Sequence, residues 1–270
     1  LFGFFQSYFM VVNIEPKVNA WYCGGVALLT TYKKIGETPL EALERLRKEK
    51  NLPETEKMTY AGRLDPAAEG LLLVLTGHDV HQKDAFLNLD KTYEFQVLFG
   101  VSTDSLDVLG LVQDVQLNEK DQALTFLSKT NEFVGSFEWE YPKFSSKTIE
   151  GKPMFEYARE GVEIENPYRQ MNIFSLELIG RKYEQLKNLK SHIVSVVYSV
   201  SGDFRQKEIL KKWEEVFQAC GDTHVSIVSF RVRVSSGTYI RVLAQKMGES
   251  VGLPALAFSI KRTSVGTIEV

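Results

Sequence analysis

Cysteine is scarce in this 270-residue chain, which has only Cys23 and Cys220. Two thiols are too few for a disulfide scaffold and have no paired metal-ligand spacing, which suits the reducing cytoplasm and makes both ordinary packed or surface thiols. Histidine is as thin. Of His78, His81, His192 and His224, only the first two lie three apart, and no third ligand is near, so no metal is expected. A glycine-rich phosphate loop and a dinucleotide fingerprint are both missing, so no cofactor is expected. No apolar run approaches the roughly 20 residues that cross a bilayer, which leaves no membrane role. Excess positive charge is lacking as well. A formal net charge of -3 excludes a protein that coats nucleic acid indiscriminately, because such binding rests on neutralising many phosphates.

What is present can bury a large core, since 44% of residues are hydrophobic and 11% aromatic. Residues 1–25 carry an aromatic patch (Phe2, Phe4, Phe5, Tyr8, Phe9 and Met10) without a basic leader, so they read as an extension of unclear role rather than a secretory signal. A single domain is expected over 26–270. Apolar periodicity predicts strands at 26–30, 71–76, 91–99, 170–179, 192–200, 226–235 and 256–261. Thr38-Pro39-Leu40-Glu41 supplies an N-cap, a first-turn proline and a capping-box glutamate for a helix running to about Lys50, with Leu40, Leu43 and Leu46 on its apolar face. Further helices are predicted near 79–88, 119–132, 153–160, 205–219 and 239–249. Strands and helices do not alternate regularly, which favours an α+β fold with a mixed or largely antiparallel sheet.

The most informative stretch is Tyr60 to Gly77. Gly62, Pro66 and Gly70 bracket Asp65 with backbone breakers, and the apolar run Leu71–Leu75 reads as a buried strand, so one carboxylate sits on a rigid loop entering a sheet. Alone, such an aspartate more often bonds its own backbone. Between Arg231 and Arg262 six basic residues (Arg231, Arg233, Arg241, Lys246, Lys261, Arg262) face one acid, Glu249, a local balance of +5. That stretch reads equally as a phosphate-facing surface or an ordinary solvated strand face.

Gly62-Arg63-Leu64-Asp65-Pro66, followed by Glu69-Gly70-Leu71-Leu72, resembles the catalytic-aspartate motif of pseudouridine synthases, and most closely the TruB-type tRNA pseudouridine synthases. Three further matches follow in that family's order: Lys91-Thr92-Tyr93-Glu94 with Thr103-Asp104-Ser105 beyond it, the block Gly151 to Gly161, and Ser236-Gly237-Thr238-Tyr239-Ile240-Arg241. The resemblance spans Val26 to Ile268. It departs from the family at Tyr60, where a histidine is usual, and at Tyr32-Lys33-Lys34, where a Lys-Pro motif is usual. Many relatives also continue into a separate RNA-binding PUA domain, for which no residues are expected here.

The resemblance implies a pseudouridine synthase fold, in which a central bent sheet flanked by helices carries an active cleft across its middle. It implies Asp65 as nucleophile and Arg241 as its partner, ideally in a bidentate pair, since a carboxylate enclosed around a base needs a cation to stay ionised. Tyr93 is implied to stack on the target base and move a proton, and Tyr239 to line the uridine pocket. Tyr60, Lys91 and the lysines of an RNA-contacting insertion at 141–161 (Lys143, Lys147, Lys152) complete the expected substrate contacts. The reaction breaks the C1′–N1 bond and remakes C1′–C5, which acid–base and nucleophilic groups can do alone. The partner implied is tRNA and the target its T-arm uridine, with a monomer expected. A ribosomal-RNA pseudouridine synthase is the rival enzyme, and an RNA chaperone that does not need Asp65 is the rival from another class.

Overall fold

The chain is described by a computed structural model over residues 10–13, 19–23, 26–117 and 126–269. Its first part runs β1 (Met10–Asn13), β2 (Asn19–Cys23), β3 (Val26–Lys33), α1 (Pro39–Glu49), β4 (Met58–Ala61) and β5 (Ala68–Thr76). Next come α2 (Lys83–Leu87), β6 (Lys91–Phe99), β7 (Val101–Thr103), β8 (Val112–Val115), β9 (Gly135–Glu140), β10 (Thr148–Ile149), β11 (Lys152–Pro153) and α3 (Met154–Glu160). The chain then continues with β12 (Tyr168–Gln185), α4 (Lys190–Ser199), α5 (Gln206–Cys220), β13 (His224–Val234), α6 (Ile240–Glu249), β14 (Ala255–Val265) and β15 (Ile268–Glu269).

Eleven strands share one sheet, in the order β1-β2-β3-β5-β14-β6-β13-β12-β9, with β4 beside β5 and β15 beside β14. Only the β5–β14 pair is parallel, so the sheet is mixed and largely antiparallel, as the irregular alternation predicted. Period-two alternation on β6 puts Lys91, Tyr93, Phe95 and Val97 on its buried side. With Phe230 and Val232 of β13, Tyr93, Phe95 and Val97 form a core cluster against Leu243, Ala244 and Met247 of α6. The opposite face carries Leu98, Ile227 and Leu256, closed by Ile193 and Val197 of α4 and Ile209 and Trp213 of α5. Helices therefore cover both faces of the middle of the sheet, and the loops entering from its ends meet at the site.

The capping box of α1 forms as predicted. Glu41 N–H donates to the Thr38 hydroxyl at 3.2 Å, and Thr38 N–H donates to the Glu41 carboxylate at 2.6 Å, a pairing worth about 1 kcal/mol. Leu43 and Leu46 are buried, but Leu40 is 60% exposed. The strand predicted at 192–200 is instead helix α4. Its β-branched residues favour a strand locally, yet Ile193, Val196 and Val197 recur at helical spacing and all three are buried against α5, so packing overrides propensity. The helix predicted at 79–88 is split into a 3-10 turn, Gly77–Gln82, and the short α2. Part of the helix predicted at 119–132 lies outside the described residues, and its end is a 3-10 turn, Thr130–Phe133.

Trp213 is completely buried, and its indole N–H meets no acceptor among the described residues. Trp213→Ala should therefore lower unfolding free energy by about 3 to 5 kcal/mol. Trp213→Phe should lose much less, because it also removes an unsatisfied donor. Urea titrations in which the two variants lose equal stability would contradict this account.

Candidate active site

Asp65 lies in the turn between β4 and β5, where its own carbonyl accepts from Ala68 N–H at 3.0 Å. Two buried cations fix this loop from either side. Lys33 Nζ donates to the carbonyls of Lys34 at 3.0 Å and Ala68 at 2.5 Å, and more loosely to Pro66 at 3.4 Å. The guanidinium of Arg262 donates to Leu71 O at 2.7 Å, Arg63 O at 3.2 Å and Gly62 O at 3.4 Å. Glycine is needed at position 70 because a Cβ there would sit 2.2 Å from the Arg262 carbonyl oxygen, at a φ of +119°. Lysine at position 34 in place of proline leaves this clamp intact. Burial pulls Lys33 down to about 8, against the attraction of Asp65.

The first turn of α6 delivers Arg241 to Asp65. Its Nε donates to Asp65 Oδ2 at 2.7 Å, with the arginine side chain 3% exposed and the aspartate 38% exposed. The pair is not bidentate. The other two guanidinium nitrogens reach backbone carbonyls, Nη1 to Ser105 at 2.7 Å and Nη2 to Phe144 at 3.0 Å, so the fork joins three chain segments instead. Asp65 Oδ1 is left without a donor among the described residues.

A second carboxylate, Asp107, stands behind the guanidinium at 3.8 Å and is wholly enclosed. It accepts from the Ser105 hydroxyl at 2.6 Å and Leu109 N–H at 3.0 Å. Burial drives its pKa up, opposed by Arg241 and the Ser105 hydroxyl. Burial works against the charge of Arg241, but Asp65 and Asp107 outweigh it and its pKa is raised. The sequence reading stopped at Ser105 and missed Asp107, whose signal was its place two residues further along the same motif.

Asp65 borders a cavity of about 250 Å³ lined also by Tyr93, Tyr239, Lys91, Arg169 and Arg262. Tyr93 lies across from Arg262 in the β6–β14 register, and Tyr239, just before α6, bonds the Ser145 hydroxyl at 2.8 Å. Lys91 is buried and donates to Leu87 O, Leu89 O and the Ser236 hydroxyl, and burial lowers it to about 8. Arg169 was not anticipated. It donates to the Tyr141 hydroxyl at 2.9 Å and Ser236 O at 3.0 Å, while its buried Nε has no partner among the described residues. Its guanidinium fills the space where a Cβ at Gly237 would stand, 2.3 Å from Cζ.

The remaining expected contacts lie further out. Tyr60 borders a second cavity beside Asp65, under Lys83 Nζ at 5.6 Å from its ring. Lys143 is exposed, Lys147 lies 5.9 Å from the Tyr141 ring, and Lys152 is paired with Glu160. The basic stretch from Arg231 to Arg262 is divided between buried and surface-paired residues. Arg241 and Arg262 are buried, Arg231 pairs with Glu94 and Glu177, Arg233 with Asp90, and Lys246 with Glu249. Among the described residues no cluster of three or more His, Cys, Asp or Glu could hold a metal ion, and no helix is long and apolar enough to cross a membrane.

A buried arginine thus holds a part-exposed carboxylate beside a tyrosine-lined cavity. Residues 50–198 match the family model described as TruB family pseudouridylate synthase (N terminal domain). The chain is 33% identical over 247 residues to "tRNA pseudouridine synthase B" of Bordetella avium (strain 197N), covering 90% of this chain and 81% of that protein. The protein of the same name from Azoarcus sp. (strain BH72) is 31% identical, with 95% and 69% covered. Among solved structures, a Cbf5-Nop10-Gar1 complex matches with a TM-score of 0.53 and 19% identity over 90% of this chain and 49% of that one, a likeness of fold alone. The chain thus spans about half the length of that solved chain. It belongs to the TruB family of pseudouridylate synthases.

Removing Arg241 would strand Asp107 as a buried unpaired charge, so Arg241→Ala should destabilise by about 3 to 5 kcal/mol at pH 8. Because the folded-state pKa of Asp107 already lies above its unfolded value, the folded state takes up the extra proton, and stability rises as pH falls through that range. The loss in Arg241→Ala should therefore be smaller at pH 5 than at pH 8, and adding Asp107→Asn should recover part of it. A loss that is independent of pH in urea unfolding would refute this.

Proposed function

We propose that the protein isomerises uridine to pseudouridine in tRNA, with the T-arm uridine as target and Asp65 as nucleophile. The observation that carries this reading is the 2.7 Å contact between Arg241 and Asp65 at the edge of the tyrosine-lined cavity. Curated relatives at about one-third identity are named tRNA pseudouridine synthase B, which supports tRNA as the substrate.

In this mechanism the target base leaves its stack, at an unstacking cost of a few kcal/mol, and enters the cavity. Tyr93 supplies a ring for it to stack on, worth roughly 1 to 3 kcal/mol. Asp65 attacks the ribose or the uracil ring, the C1′–N1 bond breaks, the base turns, and C5 bonds to C1′ as the bond to Asp65 breaks and frees the carboxylate. The proton lost from C5 balances the one gained at N1, and Tyr93 is placed to assist that transfer. Arg241 keeps the carboxylate oriented, while Lys33 and Arg262 prevent its loop from relaxing. Tyr60, Tyr239, Lys91, Lys143, Lys147 and Lys152 serve as substrate contacts, of which Lys91 and Lys152 act through the partners that hold them. The enzyme works as a cytoplasmic monomer on RNA, without metal or cofactor.

Asp65→Asn should abolish pseudouridine formation in a tRNA transcript and leave RNA affinity within about tenfold, or about 1.4 kcal/mol. Near-normal turnover by this variant would remove the mechanism. Mapping pseudouridine in total RNA with and without the protein separates the tRNA target from a ribosomal one.

A further inference from the structure

On the other flank of Asp65 lies the second cavity, about 440 Å³ in volume and within the roughly 300 to 1,000 Å³ typical of ligand sites. Its lining differs from that of the uridine pocket. Rings from Tyr60, Phe144, Phe155 and Phe204 surround it, with Arg159 and Arg205 between them. Leu40, unexpectedly exposed on α1, sits at its rim. Phe204 and Arg205 belong to the loop joining α4 to α5, which lies outside the four motifs that carry the family resemblance.

Two observations show that this loop is held in place. Arg205 adopts a left-handed backbone, φ +59°, uncommon for a non-glycine residue. It is secured by a fork onto Asp104 at 2.7 and 3.2 Å and by stacking on Phe144, 4.7 Å from the ring centre. Arg159 is sandwiched between Phe155 and Phe204, at 5.5 and 5.3 Å, and has no carboxylate partner among the described residues. Its guanidinium is exposed and already oriented by two rings.

We infer that the α4–α5 loop is part of the RNA-binding surface, with Phe204 and Arg159 forming a stacking site for an unpaired base adjacent to the target uridine. The inference rests on the proposed pseudouridine synthase activity. Aromatic faces interleaved with arginine accept any base through its π-face and draw in the neighbouring phosphate. The position also suits the chemistry. A nucleotide extruded beside the target leaves Asp65 between two bound bases, so both cavities hold the backbone that presents the reacting ribose.

The test uses the full chain and a tRNA T-arm hairpin carrying 2-aminopurine immediately 5′ or 3′ of the target uridine, one position at a time. Wild type should quench one of the two probes on binding. Phe204→Leu and Arg159→Gln should weaken binding by about tenfold and lose that quench, while Phe204→Tyr should restore both with an unchanged melting temperature. Quenching at neither position, or Leu and Gln variants that bind and quench like wild type, would overturn the stacking site. A wild type that quenches but forms no pseudouridine would instead overturn the catalytic reading and leave the site standing.

Discussion

A single buried guanidinium organises the site. Arg241 is enclosed, yet its four nearest acceptors come from three separate stretches: Asp65 from the β4–β5 loop, Ser105 O and Asp107 from the turn after β7, and Phe144 O from the 141–161 segment. A lysine could neutralise a carboxylate but could not reach two carbonyls in a plane at the same time. With one cation between two carboxylates, the cluster carries an excess of negative charge. Burial, more than that charge, raises the pKa of the enclosed Asp107, while the part-exposed Asp65 borders the tyrosine-lined cavity.

Rigidity of the loop follows from the same economy of donors. Lys33 and Arg262 are both fully buried, and their hydrogen bonds go to backbone carbonyls of the Asp65 loop or its flanks. In a low-dielectric interior such bonds are strong, and an unmet carbonyl there would be expensive. The loop is therefore over-determined, with Asp65 as its exposed acid. Such pre-organisation suits the nucleophilic role proposed for Asp65, because little remains to be ordered around it.

Parts of this were legible in the sequence and parts were not. Local signals were reliable where they agreed with packing, as with the Thr38–Glu41 capping box, the alternation of β6 and the breakers around Asp65. The motifs placed Asp65, Tyr93, Tyr239 and Arg241 together, and the structure lines one cavity with Asp65, Tyr93 and Tyr239 while Arg241 reaches it through Asp65. Residues 192–200 misled because valine-rich alternation and helical spacing coexist there, and only contact with Ile209 and Trp213 selects the helix. The basic stretch left two readings open for a different reason. Glu94, Glu177 and Asp90, which pair with its arginines, are distant in sequence and meet them only through the order of the strands. Arg169 and Arg262 were invisible as site residues, since a buried arginine and a surface arginine look alike until the sheet is assembled.

That pairing bears on how RNA can be recognised. A surface whose arginines are already matched with carboxylates has little long-range field, in keeping with the chain's formal net charge of -3. Affinity must then come from short-range complementarity at the cleft, where Arg63 and Arg159 are exposed and four aromatic rings stand within one cavity. Stacking and shape act only after a base is unpaired, so they favour RNA whose target loop opens easily over RNA that merely carries charge. Under the proposed mechanism, discrimination and chemistry depend on the same event, the extrusion of nucleotides into pockets on either side of Asp65.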